Sequence, residues 1–202
     1  VNTGFMKKMN QSYEDISLFH EIGCDVIRLD GSYGSEHDYI MTQNPYGIEI
    51  EMNASSRLIE KELIYFTEKN VGRERVRLCH NVYPQRYTGL KWNDFLEKSR
   101  ILRKYDYTIA AFVSSHAPNT HGLWEAADGL PTVERLRDLP IDLQARILLA
   151  TGGVDDILIG NAFASEAEFE ALAEVAKPPK SLENSRIYEK IKAYGPNMHP
   201  FG

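Results

Sequence analysis

The side chains best suited to chemistry are concentrated in one loop of this sequence. The loop follows an apolar run at residues 76–79, which predicts a buried strand, and it precedes a helical pattern that begins near Trp92. Its polar side chains are His80, Asn81, Tyr83, Gln85 and Arg86. Loops held by a rigid scaffold often bind ligands. The composition therefore favours a surface for a polyhydroxylated or phosphorylated ligand. An aromatic loop that only caps the core is the alternative.

A second set of candidates lies on the first two predicted strands, residues 26–30 and 47–53. Successive side chains of a strand point to opposite faces, and the apolar side chains here share one face. The other face should therefore hold the polar ones, which are Arg28, Asp30, Glu49, Glu51 and Asn53. Active sites of barrels built from parallel strands form at the C-terminal strand ends. Asp30 and Glu51 lie nearest those ends.

Two facing carboxylates are the groups that glycoside hydrolysis uses, one as the acid and the other as the nucleophile or base. Neighbouring strands lie ~4.8 Å apart, so Asp30 and Glu51 could approach one another. We predict that they are the catalytic pair. An interior ion network is the structural alternative for such residues, and we assign that role to Arg28 with Glu49.

The order strand, polar loop, helix recurs five times along the chain. Strands are predicted over 26–30, 47–53, 75–79, 107–113 and 156–159, and helices over 12–23, 56–69, 92–105, 143–149 and 165–176. This alternation predicts an α/β protein with a parallel sheet. A closed (β/α)8 TIM barrel needs eight such units and ~250 residues. We predict that residues 1–178 are the later five β/α units of such a barrel and that 179–202 are a linker or tail. An open sheet is the alternative.

Two further loops follow the last two predicted strands. Ser114 opens a polar loop that runs to Pro131, and loops longer than ~15 residues are usually functional. Asn161 lies in the turn before a helix capped by Ser165, and in barrels the last two such loops often bind phosphate. We therefore add Ser114 and Asn161 to the candidates for ligand binding. The histidines show no close metal-ligand spacing, so we predict neither a metal nor a cofactor.

Composition excludes several classes of function for this chain of 202 residues. Its net charge of −6, with no basic run, argues against nucleic acid as a partner. No apolar segment reaches the ~18 residues of a membrane helix. Cys24 and Cys79 lie at or near predicted buried strands and fit reduced thiols better than a disulfide. A cytoplasmic location is therefore expected.

Several segments together resemble one family, the MupG-type 6-phospho-N-acetylmuramidases. They are residues 27–30, 42–47, 51–55, 80–90, 128–132, 137–140 and 159–165, within a match over about residues 12–176. The resemblance implies a cytoplasmic glycosidase of cell-wall recycling. Such enzymes cleave the β-1,4 bond of N-acetylmuramic acid 6-phosphate–N-acetylglucosamine. It also implies a TIM barrel followed by a cyclophilin-like domain, of which this chain holds only the later barrel units.

On this basis we expect a glycoside hydrolase whose partner is a small phosphorylated amino-sugar disaccharide. The loop residues from His80 to Arg86 would hold the sugar or its phosphate, with Asn161 as a second candidate for the phosphate. A homo-oligomer is compatible with the sequence. The alternative, from another class, is a truncated, non-catalytic barrel remnant that acts as a binding or structural protein. Its open sheet edges would pair with another chain.

Overall fold

The computed structural model describes residues 1–122 and 126–177 of the chain. Its five strands are β1 (Val26–Arg28), β2 (Glu49–Asn53), β3 (Val76–Cys79), β4 (Thr108–Val113) and β5 (Asp156–Ile159). They form one curled sheet in the order β1-β2-β3-β4-β5, and all neighbouring strands are parallel. The predicted α/β class with a parallel sheet is thereby confirmed. The predicted linker or tail at 179–202 lies outside the described residues.

Helices connect the strands and cover one face of the sheet. They are α1 (Thr3–Lys8), α2 (Ser17–Glu21), α3 (Ser35–Thr42), α4 (Ile59–Glu68), α5 (Trp92–Leu102), α6 (Ile141–Ala150) and α7 (Glu166–Ala176). Each parallel pair of strands is therefore joined by a helical crossover, as parallel pairing requires. None of the helices among residues 1–122 and 126–177 is long and apolar enough to cross a membrane.

The first predicted helix, 12–23, is shorter in the structure, where α2 begins only at Ser17, so Ser12 is not at its N-terminus as the prediction required. Ser12 does not cap a helix; its hydroxyl accepts the N–H groups of Glu14 and Asp15 in a local turn. The Asp15 carboxylate then accepts the N–H of Ser17, where α2 begins. The prediction at the other end is confirmed, because Ser165 caps α7 in a capping box with Glu168. Serine favours both geometries, so its residue type alone did not distinguish them.

The apolar face of the sheet packs against the helices. Ile27, Ile50, Met52, Leu78 and Ile109 are each at most 2% exposed. Each such buried side chain contributes about 1.5–3 kcal/mol to folding. Since side chains alternate along a strand, this packing turns the polar side chains of β1, β2 and β3 to the opposite, concave face.

Two carboxyl groups are buried in the helical layer between α3 and α4. Asp38 is fully buried and Glu62 is 4% exposed, and each has one buried carboxyl oxygen without a hydrogen-bond partner in the structure. The other oxygen of Asp38 accepts the N–H of Tyr33 at 2.9 Å. Burial is the main cause that raises the pKa of Asp38, and the charge of Glu62 raises it further.

The Asp38→Asn variant is expected to be more stable than the wild type at neutral and alkaline pH. A group whose folded-state pKa is raised stabilises the fold at low pH and loses that contribution as pH rises. The amide keeps an acceptor for Tyr33 and removes the buried charge that Glu62 opposes, so the free energy of unfolding at pH 8 should rise by about 1–2 kcal/mol. Chemical denaturation at pH 8 and pH 4 measures this, with the exposed Asp25→Asn as the control. A gain that is equal at both pH values would contradict the explanation.

Candidate active site

A cluster of polar side chains occupies the C-terminal end of the concave face. Arg28 of β1 donates from Nη1 to Glu51 Oε1 of β2 at 2.7 Å, and from Nη2 to Asn81 Oδ1 at 2.9 Å. The side chain of Glu51 is 9% exposed, and the Arg28 guanidinium lies 5.9 Å from the centre of the Phe112 ring. The register that aligns Arg28 with Glu51 creates this contact. The Glu51 carboxylate is therefore held at the C-terminal strand ends, with the Arg28 guanidinium on one side of it.

A second ion network lies one layer deeper in the same face. Glu49 accepts a hydrogen bond from Arg77 Nε at 2.9 Å, and Asp156 of β5 is 4.0 Å from Arg77 Nη1. The expected pairing of Arg28 with Glu49 is therefore wrong. The register of β3 against β2 brings Arg77 beside the carboxylates, whereas the prediction considered only the first two strands.

Asp30 is more open to solvent than the sequence suggested. It lies two residues beyond Arg28, and its side chain is 62% exposed. Its carboxylate accepts a hydrogen bond from the Asn2 side chain at 3.3 Å and lies 3.9 Å from the Val1 backbone nitrogen. Continued by two residues past Arg28 and Glu51, the register of β1 with β2 would place Asp30 level with Asn53, whose Oδ1 accepts the N–H of Ser55.

His80 belongs to the buried layer beneath the site and not to the open face. It is fully buried, with Nδ1 3.2 Å from Ser55 Oγ and Nε2 3.5 Å from Ser99 Oγ. The same Ser55 hydroxyl accepts the N–H of Asn81 at 3.0 Å. Alternation continued from β3 predicts that Asn81 points inward and His80 outward, and the structure shows both orientations. His80 supports the position of Asn81, since both bind Ser55.

Acid is expected to destabilise the protein through His80. Burial first, and then the charges of Lys98 and Arg28, lower the pKa of His80 to about 3. The unfolded chain binds this proton near its ordinary pKa of 6.5, so protonation between those values favours unfolding. The free energy of unfolding should therefore fall by about 1.4 kcal/mol per pH unit from this group as the pH drops through that window.

Urea denaturation at a series of pH values tests this expectation. His80→Gln removes the titrating group and should flatten the slope, whereas His20→Gln on the exposed side of α2 should leave it unchanged. Equal slopes for the wild type and His80→Gln would contradict the role of His80.

The backbone of the loop that follows β3 is held by one buried arginine. Arg137 is 1% exposed and donates to the carbonyl oxygens of Tyr83, Gln85, Asp128 and Gly129 at 3.0–3.2 Å. It therefore joins the loop after β3 to the segment that follows β4. Carbonyl groups that converge in this way need a donor, because an unpaired buried carbonyl is costly.

Glu134 completes this anchor. Its carboxylate accepts two hydrogen bonds from Arg137, at 2.9 and 2.6 Å, and further ones from the N–H groups of Tyr87 and Gly89. The Arg137 guanidinium is the main cause that lowers the pKa of Glu134 to about 2. A Cβ at Gly89 would lie 2.6 Å from Glu134 Oε2, so the close approach of the loop requires glycine.

Arg86 points away from this anchor and is already paired. Its guanidinium donates to both carboxylate oxygens of Asp138, at 2.8 and 2.7 Å, and lies 3.3 Å from Asp128. Asp138 raises the pKa of Arg86 above its usual value. The side chain is 45% exposed, so an anion that reached Arg86 would compete with two aspartates.

Ser114 and Asn161 are buried at the ends of β4 and β5. The Ser114 hydroxyl accepts the N–H of Leu130, and the Asn161 amide exchanges two hydrogen bonds with the backbone of Ser115. Both side chains therefore connect loops. Glu168 occupies the adjoining donors, because it accepts from Ser115, His116 and Ser165. A polar cavity of about 540 Å³, lined by His116 and His121, opens beside them.

Sequence reasoning missed several residues that position the site. Arg77 could have been predicted, because alternation along the third strand places it on the same face of the sheet as Glu49 and Glu51. Arg137, Glu134, Ser55 and Ser99 gave no local signal, since their partners lie far away in the chain. No group of three or more His, Cys, Asp or Glu side chains within residues 1–122 and 126–177 could hold a metal ion.

The fold and this site define an α/β protein with a carboxylate–arginine cluster at the C-terminal ends of a parallel sheet. The sequence model of the family "6-phospho-N-acetylmuramidase, N-terminal" (MupG) matches residues 1–174. The chain therefore belongs to the MupG 6-phospho-N-acetylmuramidase family. No protein with a curated description matches the chain.

Two crystal structures resemble the chain along most of its length. An uncharacterized B. cereus protein is 39% identical, with a TM-score of 0.74, and the match covers 85% of this chain and 51% of that one. A conserved Enterococcus faecalis protein with an unknown function is 28% identical, with a TM-score of 0.70, over 83% of this chain and 45% of that one. The chain thus spans about half the length of the structures it matches.

Proposed function

We propose that this chain is a glycosidase unit that hydrolyses the bond between N-acetylmuramic acid 6-phosphate and N-acetylglucosamine. The observation that carries the proposal is the cluster of Glu51, Arg28 and Asn81 at the strand ends of a chain that belongs to this family. A cytoplasmic location, where phosphorylated sugars are metabolised, is part of the proposal. The reaction needs only carboxylates and water.

Glu51 and Asp30 are the two carboxylates of the proposed reaction. Glu51 is in β2, and Asp30 lies two residues beyond Arg28, the partner of Glu51 in the register, which corresponds to a Cα separation on the order of 8 Å. Glycosidase carboxylates are separated by ~5–9.5 Å, so side chains that lean toward each other suit the chemistry. Glu51 is hydrogen-bonded to Arg28 and is suited to the charged role of nucleophile or base.

The sugar would be held by the amide and hydroxyl groups around the two carboxylates. Asn53, Asn81, Tyr83 and Gln85 can hydrogen-bond to sugar hydroxyls. Arg86 is the proposed phosphate ligand, and phosphate binding there would have to displace Asp138. The buried side chains His80, Ser114 and Asn161 would act through the loops that they hold.

We also propose that the sheet is part of a TIM barrel. Its strands are all parallel and the sheet is curled, and the crystal structures that resemble the chain are about twice as long. The backbone of Val1 donates to the Arg28 carbonyl and accepts from the Asp30 N–H, which is the pattern of a further parallel strand beside β1. Strands from the same longer protein or from a second copy would complete the barrel.

Hydrolysis of the 6-phosphorylated disaccharide by the 202-residue chain, beside its unphosphorylated twin, tests the proposal. Release of N-acetylglucosamine from the phosphorylated form alone is the expected result. Cleavage of neither form by a cooperatively folded chain would instead favour the second candidate function, a non-catalytic binding or structural role. That candidate is supported by the match to only half of the related structures.

A further inference from the structure

A cavity separate from the carboxylate–arginine cluster lies near Asp30. Its volume is about 650 Å³, within the ~300–1,000 Å³ of small-molecule pockets. Three segments line it: α1, the turn at residues 10–15, and the loop at residues 32–34 together with the first turn of α3. Asn2, which caps α1, hydrogen-bonds to Asp30, and the loop begins two residues after Asp30. The charge of Asp30 also acts on Tyr33, which lines the cavity, so the cavity lies near one of the two proposed catalytic carboxylates.

An ordered pair of aromatic rings forms part of the cavity wall. The ring of Tyr13 stacks on that of His37, with centroids 3.9 Å apart and planes inclined by 15°. His37 Nδ1 lies 3.0 Å from the carbonyl oxygen of Tyr33, which fixes the orientation of the imidazole. Pockets for small ligands combine such aromatic surfaces, on which apolar C–H groups pack, with a few polar side chains.

The polar lining consists mainly of amides and hydroxyls. Asn10, Gln11, Ser12 and Ser32 contribute groups of this kind. Gln11 is held in place because its Oε1 accepts the N–H of Leu18. Hydroxyl and amide side chains match the hydroxyls and the acetamido group of an N-acetylated sugar, which offer both donors and acceptors.

The charges of the lining select between the two sugars of the proposed substrate. Lys7 and Asp15 line the cavity and have opposite formal charges, which cancel. A phosphomonoester carries about −1.5 to −2 charges at neutral pH and requires an excess of positive groups. The balanced lining therefore suits the uncharged N-acetylglucosamine unit better than the phosphorylated muramic acid unit.

We propose that this cavity binds the N-acetylglucosamine unit, which is the leaving group of the reaction. The inference rests on the proposed function for the identity of the sugar, but the binding site itself does not require hydrolysis. Asp30 would then lie between the cavity and the Arg28–Glu51 pair, and the scissile bond would lie near Asp30.

Binding of N-acetylglucosamine alone, followed by NMR, is the first test. The wild-type chain should bind it saturably, and Tyr13→Ala should weaken binding by about tenfold. Tyr46→Ala is the matched control, because Tyr46 also stacks on a histidine, His20, but precedes β2 at the opposite end of the sheet. Asn10→Ala, an exposed substitution, provides a second variant if Tyr13→Ala does not fold.

Kinetics with two substrates form the second test. Tyr13→Ala should lower kcat/KM about tenfold for the disaccharide, and by no more than about twofold for an aryl glycoside of the same phosphorylated sugar, which lacks the second sugar. The inference is overturned if the wild type shows no saturable binding, or if the Tyr13→Ala and Asn10→Ala variants bind as tightly as Tyr46→Ala. If binding behaves as expected but neither substrate is cleaved, the sugar site stands and the proposed hydrolysis falls.

Discussion

The Glu51→Gln variant is expected to lose hydrolysis of the 6-phosphorylated disaccharide by about 10³-fold or more in kcat. The amide keeps the size of the side chain and an oxygen that can accept from Arg28, but it cannot act as nucleophile or base. Asp30→Asn should likewise abolish most of the activity, because glycoside hydrolysis needs both carboxylates. Release of N-acetylglucosamine measures the effect.

Glu49→Gln is the matched control for this variant. Glu49 lies on the same strand and face, and it also pairs with an arginine, Arg77, but it is one layer deeper. Loss of its charge should disturb the ion network without removing a reacting group, so activity should stay within about tenfold of the wild type. Equal losses in Glu49→Gln and Glu51→Gln would indicate a general electrostatic or folding effect. Full activity in both Glu51→Gln and Asp30→Asn would refute the assignment.

The Arg137→Met variant is expected to destabilise the fold by about 3–5 kcal/mol, the usual cost of removing one partner of a buried ion pair. It removes the cation that pairs with Glu134 and leaves the carbonyl oxygens of Tyr83 and Gln85 without the Arg137 donor. The loop after β3 should therefore also open locally. Chemical denaturation measures the stability, and hydrogen exchange at the N–H groups of Tyr87 and Gly89 reports the loop.

Arg86→Met is the control that shows whether the effect of Arg137→Met is specific to Arg137 or follows from the removal of any arginine in the region. Arg86 also joins the loop after β3 to a distant segment through an ion pair, but it is 45% exposed. Exposed pairs contribute at most about 1 kcal/mol, so its replacement should cost little. If both variants lost the same stability, the burial of Arg137 would not be what matters. Arg137→Met, unlike Arg86→Met, should also let the pKa of Glu134 rise from about 2 toward its ordinary value.

Regular patterns in the sequence determined the elements that position the site. The alternation along 47–53 predicted β2 and identified Ile50 and Met52 as its buried face. The repeated order of strand and helix predicted a parallel sheet, because parallel neighbours need a long crossover, which is usually a helix. Alternation also placed Asn81 and His80 on opposite faces. The alternation of side chains along a strand is a local property of the backbone, so the sequence predicts it without information on which strands are neighbours.

Only the tertiary structure decided which charged groups are paired. Arg28 pairs with Glu51, and Arg77 pairs with Glu49, because of the register between neighbouring strands. The residues of one strand alone do not specify that register. The buried position of Arg137 depends on loops about fifty residues apart that converge on it. The sequence by itself thus determined the class of fold, the family and the face on which the polar residues lie. The structure decided their partners, because a pairing depends on distances between segments that are remote along the chain.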